Sequence, residues 1–204
     1  MNGTAENSAA EKPFYDFVKR CFDIASSFCA LVLFALPMLI ISCLIKKDSR
    51  GPAIFKQERL GLNGRPFTLY KFRSMRIDAE NDGPCWAEED DPRVTKLGRK
   101  LRDRRLDELP QLWNILKGDM SVVGPRPERE YFYREFEKEI PDFRSRLKIM
   151  PGLTGWAQVN GGYSLSPAQK LEKDKAYMRN RCILLDIAII FRTVEIILTG
   201  KDAY

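Results

Sequence analysis

The sequence predicts an α+β chain, predominantly helical, in which one globular domain carries a short β-hairpin, an N-terminal re-entrant membrane helix and amphipathic helices at the lipid boundary. Three observations lead there. Residues 24–45 contain no charged side chain and hold Pro37 in their midst; two strand-like runs flank Gly61-Leu62-Asn63-Gly64; and from Val94 onward one segment after another reads as helix. A chain of 204 residues is long enough for a single domain with its own core and too short for two ordinary enzyme domains.

The elements follow in order. Residues 1–12 are polar and aperiodic, a disordered tail. Residues 13–47 form the membrane segment, whose uncharged run approaches the ~20 residues that cross a bilayer at 1.5 Å per residue. A straight span is the plain reading, but Pro37 removes a backbone donor in mid-run, and basic residues flank both ends: Lys12, Lys19 and Arg20 before, Lys46, Lys47 and Arg50 after. Because positive charge stays on the cytoplasmic side, a segment that dips into one leaflet, breaks at Pro37 and returns satisfies both flanks. No small-residue cleavage site follows the run, so a signal peptide is not the reading.

Residues 48–204 are the domain on the cytosolic face. Runs 53–58 and 67–72 are strands joined by the glycine-rich turn, a hairpin. Residues 78–92, acidic with Gly83 and two prolines, are a surface loop in which Trp86 packs or shields a site. Residues 94–105 read as a basic amphipathic helix, and a second helix starts near Asp107 and ends before Gly118, a residue suited to the position after a helix. Short helices over 128–139 and 141–147 precede an irregular, glycine-rich stretch at 150–162. A polar helix spans 166–180. Residues 183–198 are apolar but interrupted by Asp186, Arg192 and Glu195, a helix that lies on the membrane surface or packs on the core.

The balance of 34 Lys+Arg against 28 Asp+Glu, a formal +6, favours an anionic partner such as nucleic acid, a membrane surface or a phosphorylated substrate. No histidine is present, which removes Ser-His-Asp and Cys-His hydrolases and the usual His-containing zinc sites. The five cysteines (Cys21, Cys29, Cys43, Cys85 and Cys182) are odd in number and form no C-x-x-C pair, so they read as reduced thiols. The chemistry therefore rests on other side chains.

The richest stretch is Leu106-Asp107-Glu108-Leu109-Pro110-Gln111, followed by Gly118-Asp119-Met120-Ser121 and Gly124-Pro125-Arg126-Pro127-Glu128. It sets two adjacent carboxylates near a proline-flanked arginine, after a segment carrying Lys96, Arg99, Lys100, Arg102, Arg104 and Arg105. Acids among cations point to metal-assisted phosphate chemistry. Placed at a helix N-terminus, the dyad shares free N–H groups with a bound phosphate, although acids in first turns commonly serve capping alone.

These motifs, together with Gly51-Pro52-Ala53-Ile54-Phe55-Lys56-Gln57, Tyr70-Lys71-Phe72-Arg73-Ser74-Met75 and residues 151–160 from Pro151 through Asn160, resemble the bacterial sugar transferases, the monotopic polyprenyl-phosphate phosphoglycosyl transferases. The resemblance runs from about Lys19 to Leu198 and looks like the minimal form of that family. It implies transfer of a sugar 1-phosphate from a UDP-sugar to polyprenyl (undecaprenyl) phosphate with Mg²⁺, yielding UMP, at the cytoplasmic face of the bacterial inner membrane. Asp107 matches the family nucleophile, and the implied route is ping-pong through an aspartyl phosphosugar; the alternative is direct transfer with Asp107 acting only as metal ligand. Glu108 is metal ligand, positioning group or base. Lys71, Arg102 and Arg126 match phosphate-binding positions, with a structural ion pair as the other reading of Arg126. Gln158 and Asn160 offer planar hydrogen-bonding edges to uracil or sugar hydroxyls. The chain departs from the pattern at Leu36, where relatives often carry Ser, at Met150, and at Gly161-Gly162-Tyr163. Membrane lipids are further partners. A membrane-bound protein that only binds a nucleotide sugar or polyprenyl phosphate is the competing expectation, and nucleic acid is not an expected partner because no recognised motif accompanies the charge.

Overall fold

A computed structural model describes residues 12–80, 83 and 91–199. The expected tail, Cys85 and Trp86, and most of the acidic loop lie outside these residues. Helix α1 (Pro13–Asp48) has proline in its first turn and Lys46 and Lys47 in its last, and its helical assignment continues through Pro37 without a separate second element. Its inner face is Tyr15, Asp23, Ser27, Ile41 and Ile45, spaced so that all point to one side. The other side leaves Phe14, Phe17, Phe28, Val32, Leu33 and Leu36 exposed.

The polar residues on that inner face are used by the domain. Arg20 donates to the carbonyls of Ile115 (2.7 Å) and Leu116 (2.9 Å), the Asp23 carboxylate accepts the Val122 N–H at 2.9 Å, and Tyr15 and Lys19 both reach the Asp186 carboxylate. Both ends of α1 are thus fastened to one domain, since Ile41 and Ile45 pack with Ala53, Phe72 and Leu101.

The expected hairpin forms. Strand β1 (Ile54–Leu60) pairs antiparallel with β2 (Pro66–Phe72), from Ile54↔Phe72 to Leu60↔Pro66, and Asn63 and Gly64 take the positive φ values that reverse the chain. Helix α2 (Lys96–Asp103) begins where the Thr95 hydroxyl accepts the Gly98 N–H. Gly98 is required by close approach: a Cβ there would sit 1.9 Å from the Ser74 carbonyl oxygen.

One expectation is corrected here. The acidic dyad does not start an α-helix but occupies a separate 3₁₀ turn, Leu106–Glu108, entered through Arg105 at φ 51°. Pro110 has no N–H to continue an i→i−4 ladder from Leu106, so the helix restarts as α3 (Gln111–Lys117), which ends at Gly118 in the left-handed region as expected.

A second sheet was not expected. Strands β3 (Ser121–Val123) and β4 (Gly152–Thr154) pair in parallel, and the backbones beyond them meet so tightly that a Cβ on Gly124 would lie 2.3 Å from the Met150 carbonyl oxygen. The glycine-rich stretch is therefore ordered, continuing into α5 (Trp156–Val159). Helix α4 (Glu130–Glu137) and a 3₁₀ segment at Phe143–Lys148 fill the expected short helices. Helix α6 (Pro167–Asn180) starts on a Ser166 capping box. In α7 (Ile183–Thr199), Asp186, Ile189 and Ile196 pack inward while Leu184, Phe191 and Leu198 remain exposed, so core packing and an outward apolar face coexist.

Candidate active site

The hairpin, the 3₁₀ turn, α2 and the loop after β3 converge on a cavity of about 610 Å³. Along one face of the hairpin, Phe55 and Lys71 stand opposite each other, with Gln57 and Arg59 further along β1 and Arg73 just past β2. Arg102 enters from α2, its Nε donating to the Ser74 hydroxyl at 2.9 Å. Asp107 enters from the 3₁₀ turn. Arg126, between Pro125 and Pro127, enters from the loop after β3. Among the described residues twelve lysines and arginines line the space against three acids, Glu80, Asp107 and Glu128, so it attracts polyanions.

The two dyad carboxylates are both buried but differ in what they touch. Glu108 lies outside the cavity lining and accepts a hydrogen bond from Arg126 Nη2 at 2.7 Å. Asp107 faces the cavity and, among the described residues, accepts no hydrogen bond and lies in no ion pair. Burial alone raises both carboxyls. For Glu108 the charges of Arg126, Lys71 and Arg105 outweigh it and hold the group at about 2; for Asp107 burial and the adjacent Glu108 charge prevail over Lys71, Arg102 and Arg126, and its pKa lies above the usual value. Burial, helped by Arg126 and opposed by the dyad, brings Lys71 down to about 8.

Environment thus divides two like groups between two roles. Glu108, fully ionised and committed to Arg126, is too weakly basic to take a proton near neutral pH, and it fixes the arginine. Asp107 is the carboxylate with a free oxygen toward whatever enters. The described residues hold no group of three or more His, Cys, Asp or Glu side chains able to cage a metal. A single open carboxylate facing a strongly cationic space is a donor set compatible with Mg²⁺, which usually takes one or two carboxylates and completes its shell with water and phosphate oxygens.

Lys71, Arg102, Asp107, Arg126 and Gln158 are therefore brought to one cavity, whereas Glu108 stays outside its lining and holds Arg126. Gln158 is buried, its Nε2 donating to the Leu153 carbonyl at 2.9 Å. Asn160 does not join the lining, and its Nδ2 donates to the Trp156 carbonyl at 2.8 Å, closing α5.

Several residues escaped the sequence reading. Arg59 donates to the Pro127 carbonyl (3.0 Å) and to Glu128 (2.9 Å), while Arg146, fully buried and paired with Asp174 at 2.7 Å, donates to the Arg126 carbonyl at 3.1 Å. Between them they hold the two successive carbonyls of Arg126 and Pro127. Their partners lie 20 to 69 positions away, so no local pattern marks them.

A family model described as bacterial sugar transferase matches residues 14–200. The chain is 44% identical over 199 residues to the UDP-N-acetylgalactosamine-undecaprenyl-phosphate N-acetylgalactosaminephosphotransferase of Aeromonas hydrophila, covering 96% of this chain and 47% of that protein. It is 54% identical over 134 residues to a putative undecaprenyl-phosphate N-acetylgalactosaminyl 1-phosphate transferase of Bacillus subtilis (strain 168), covering 65% and 74%. It is 38% identical over 211 residues to the UDP-glucose:undecaprenyl-phosphate glucose-1-phosphate transferase of Escherichia coli (strain K12), covering 97% and 46%. The chain thus spans about half the length of the first and third of these relatives.

Proposed function

Since this chain belongs to the bacterial sugar transferase family, we propose that it transfers a sugar 1-phosphate from a UDP-sugar to undecaprenyl phosphate, releasing UMP. The observation that carries the proposal is the buried, unpartnered Asp107 carboxylate facing a strongly cationic cavity. An Asp107 oxygen attacks the β-phosphorus of the donor; the new O–P bond forms as the bridging bond to the α-phosphate breaks, and UMP departs with the electron pair. An oxygen of the lipid phosphate then attacks the same phosphorus, displaces Asp107 and yields the diphosphate-linked sugar. Lys71, Arg102 and Arg126 draw the phosphates in and reduce the repulsion between anions. Glu108 acts through Arg126 as a positioning residue.

Asp107, with the substrate phosphates, would hold Mg²⁺, which supplies further charge neutralisation at the reacting phosphoryl group. Helix α1 enters one leaflet from the cytoplasmic face, bending at Pro37, and the domain stays on that face. Support comes from the two flanks: residues 15–27 and 41–45 pack on one domain, and a helix of 36 residues, ~54 Å if straight, could not cross a bilayer while keeping both ends on it. An impermeant thiol reagent should label neither flank of α1 in intact cells.

The decisive experiment incubates solubilised protein with a panel of UDP-sugars and Mg²⁺ and follows UMP with and without undecaprenyl phosphate. A stoichiometric UMP burst without acceptor, absent in Asp107→Asn, is the expected result. Undiminished turnover by Asp107→Asn would refute the role of that carboxylate, and turnover only with both substrates present would replace the covalent route by direct transfer.

A further inference from the structure

The cavity is polarised along the hairpin. Its far end carries Arg59, Arg129, Arg146 and Lys170, whereas the end nearest α1 sets the apolar side chains of Pro52, Phe55, Met75 and Ile77 beside Arg73 and Arg76. Pro52 follows the end of α1 by four residues. Ile77 is 72% exposed and lies over Gly51, where an added Cβ would stand 3.0 Å from its Cδ1. Arg73 fastens this end to the helix, donating to the Ser49 and Arg50 carbonyls at 2.8 Å each. The apolar lip is thereby continuous with the place where α1 leaves its uncharged run. At its inner edge Phe55 stands directly across the hairpin from Lys71, and ~13 Å of β1 separate Phe55 from Arg59 at the cationic end.

Exposed isoleucine at a cavity mouth that opens beside a membrane segment fits a ligand with an apolar tail and an anionic head. Resting on the function proposed above, we propose that the lipid acceptor enters over the lip formed by Pro52, Phe55, Met75 and Ile77, its first isoprene units on these side chains and its phosphate at Lys71 and Asp107, while the nucleotide donor occupies the opposite, cationic end. The acceptor then reaches the phosphorus without leaving the lipid boundary, and the two substrates approach Asp107 from different ends of one cavity.

Ile77→Asp is the test, since so exposed a position tolerates a polar residue without loss of fold. Initial rates with undecaprenyl phosphate, with a one-isoprene phosphate acceptor, and with varied donor are measured in the same nanodiscs, alongside vesicle binding. The KM for the long acceptor should rise about tenfold and that for the one-isoprene acceptor by less, with the donor KM moving less than twofold; Ile77→Leu should keep the native value. A benzophenone-tagged polyprenyl phosphate should crosslink near residue 77 and not near Trp113, which is also exposed but lies outside the cavity. An unchanged acceptor KM in Ile77→Asp, or weakened vesicle binding with an unchanged acceptor KM, would overturn the lip as an acceptor site while leaving transfer intact. Absence of UMP release by the unmodified protein with every donor would instead remove the functional reading on which the lip rests.

Discussion

The Glu108–Arg126 pair makes a quantitative claim that can be checked without knowing the sugar. Glu108 is buried and held at about 2 against an ordinary 4.5, and its hydrogen bond to Arg126 is 2.7 Å long. A depression of roughly two and a half units at 1.36 kcal/mol each corresponds to about 3 kcal/mol of stability. The sign follows from linkage: a depressed carboxyl contributes fully above its unfolded value and loses the contribution as pH falls toward its folded value. The contribution should therefore be complete at pH 7 and should fade from about pH 4.5 downward. Arg126→Ala removes the largest of the charges that hold Glu108 down, with Lys71 and Arg105 remaining, and for a chain of this size a loss of up to about 3 kcal/mol lowers the unfolding midpoint by at most roughly 6–12 °C. Thermal unfolding of wild type, Glu108→Gln, Arg126→Ala and the double variant in one detergent, from pH 7.5 to 3.5, gives both the pH dependence and the coupling. The reasoning is refuted if wild type and Glu108→Gln lose stability in parallel across that range, or if the two single effects simply add.

Three other outcomes are expected. Lys71 at about 8 is cationic below that pH and neutral above it, so affinity for the acceptor phosphate should weaken as pH rises through about 8; Lys71→Arg, charged throughout, should flatten the profile in an acceptor KM measurement. Gly98→Ala drives a Cβ into the Ser74 carbonyl and displaces the helix that carries Arg102, so it should cost about 3 kcal/mol or more and lower transfer with it, read by unfolding midpoint and UMP release. Arg20→Ala strips the cap from the α3 carbonyls of Ile115 and Leu116, with an expected midpoint loss of about 3–6 °C and a lower kcat, because α3 follows the dyad directly.

How much of this was legible in the chain depends on the range of each interaction. The hairpin, the Gly118 stop, the Ser166 start of α6 and the uncharged run around Pro37 rest on preferences of neighbouring residues, and each could be read without a structure. Lys71, Arg102, Asp107 and Arg126 were picked out by motif, and one cavity gathers all four. The 3₁₀ turn at the dyad was missed because first-turn acids look alike whether the helix starts before or after Pro110. Strands β3 and β4, three residues each, are too short for any periodicity, and only the close approach of Gly124 to residues 150–152 makes them a sheet.

By itself the order of residues determined the class of elements, a segment poor in charge with basic flanks, and a set of acids and cations suited to phosphate. Tertiary structure alone decided which carboxylate is open. Asp107 and Glu108 are chemically near-equivalent neighbours, and they part only because Arg126, brought in from 18 positions away and held through its own carbonyl and that of Pro127 by Arg146 and Arg59, neutralises one and leaves the other facing the cavity. That choice depends on burial and on charges distant in sequence, and such interactions leave no local trace.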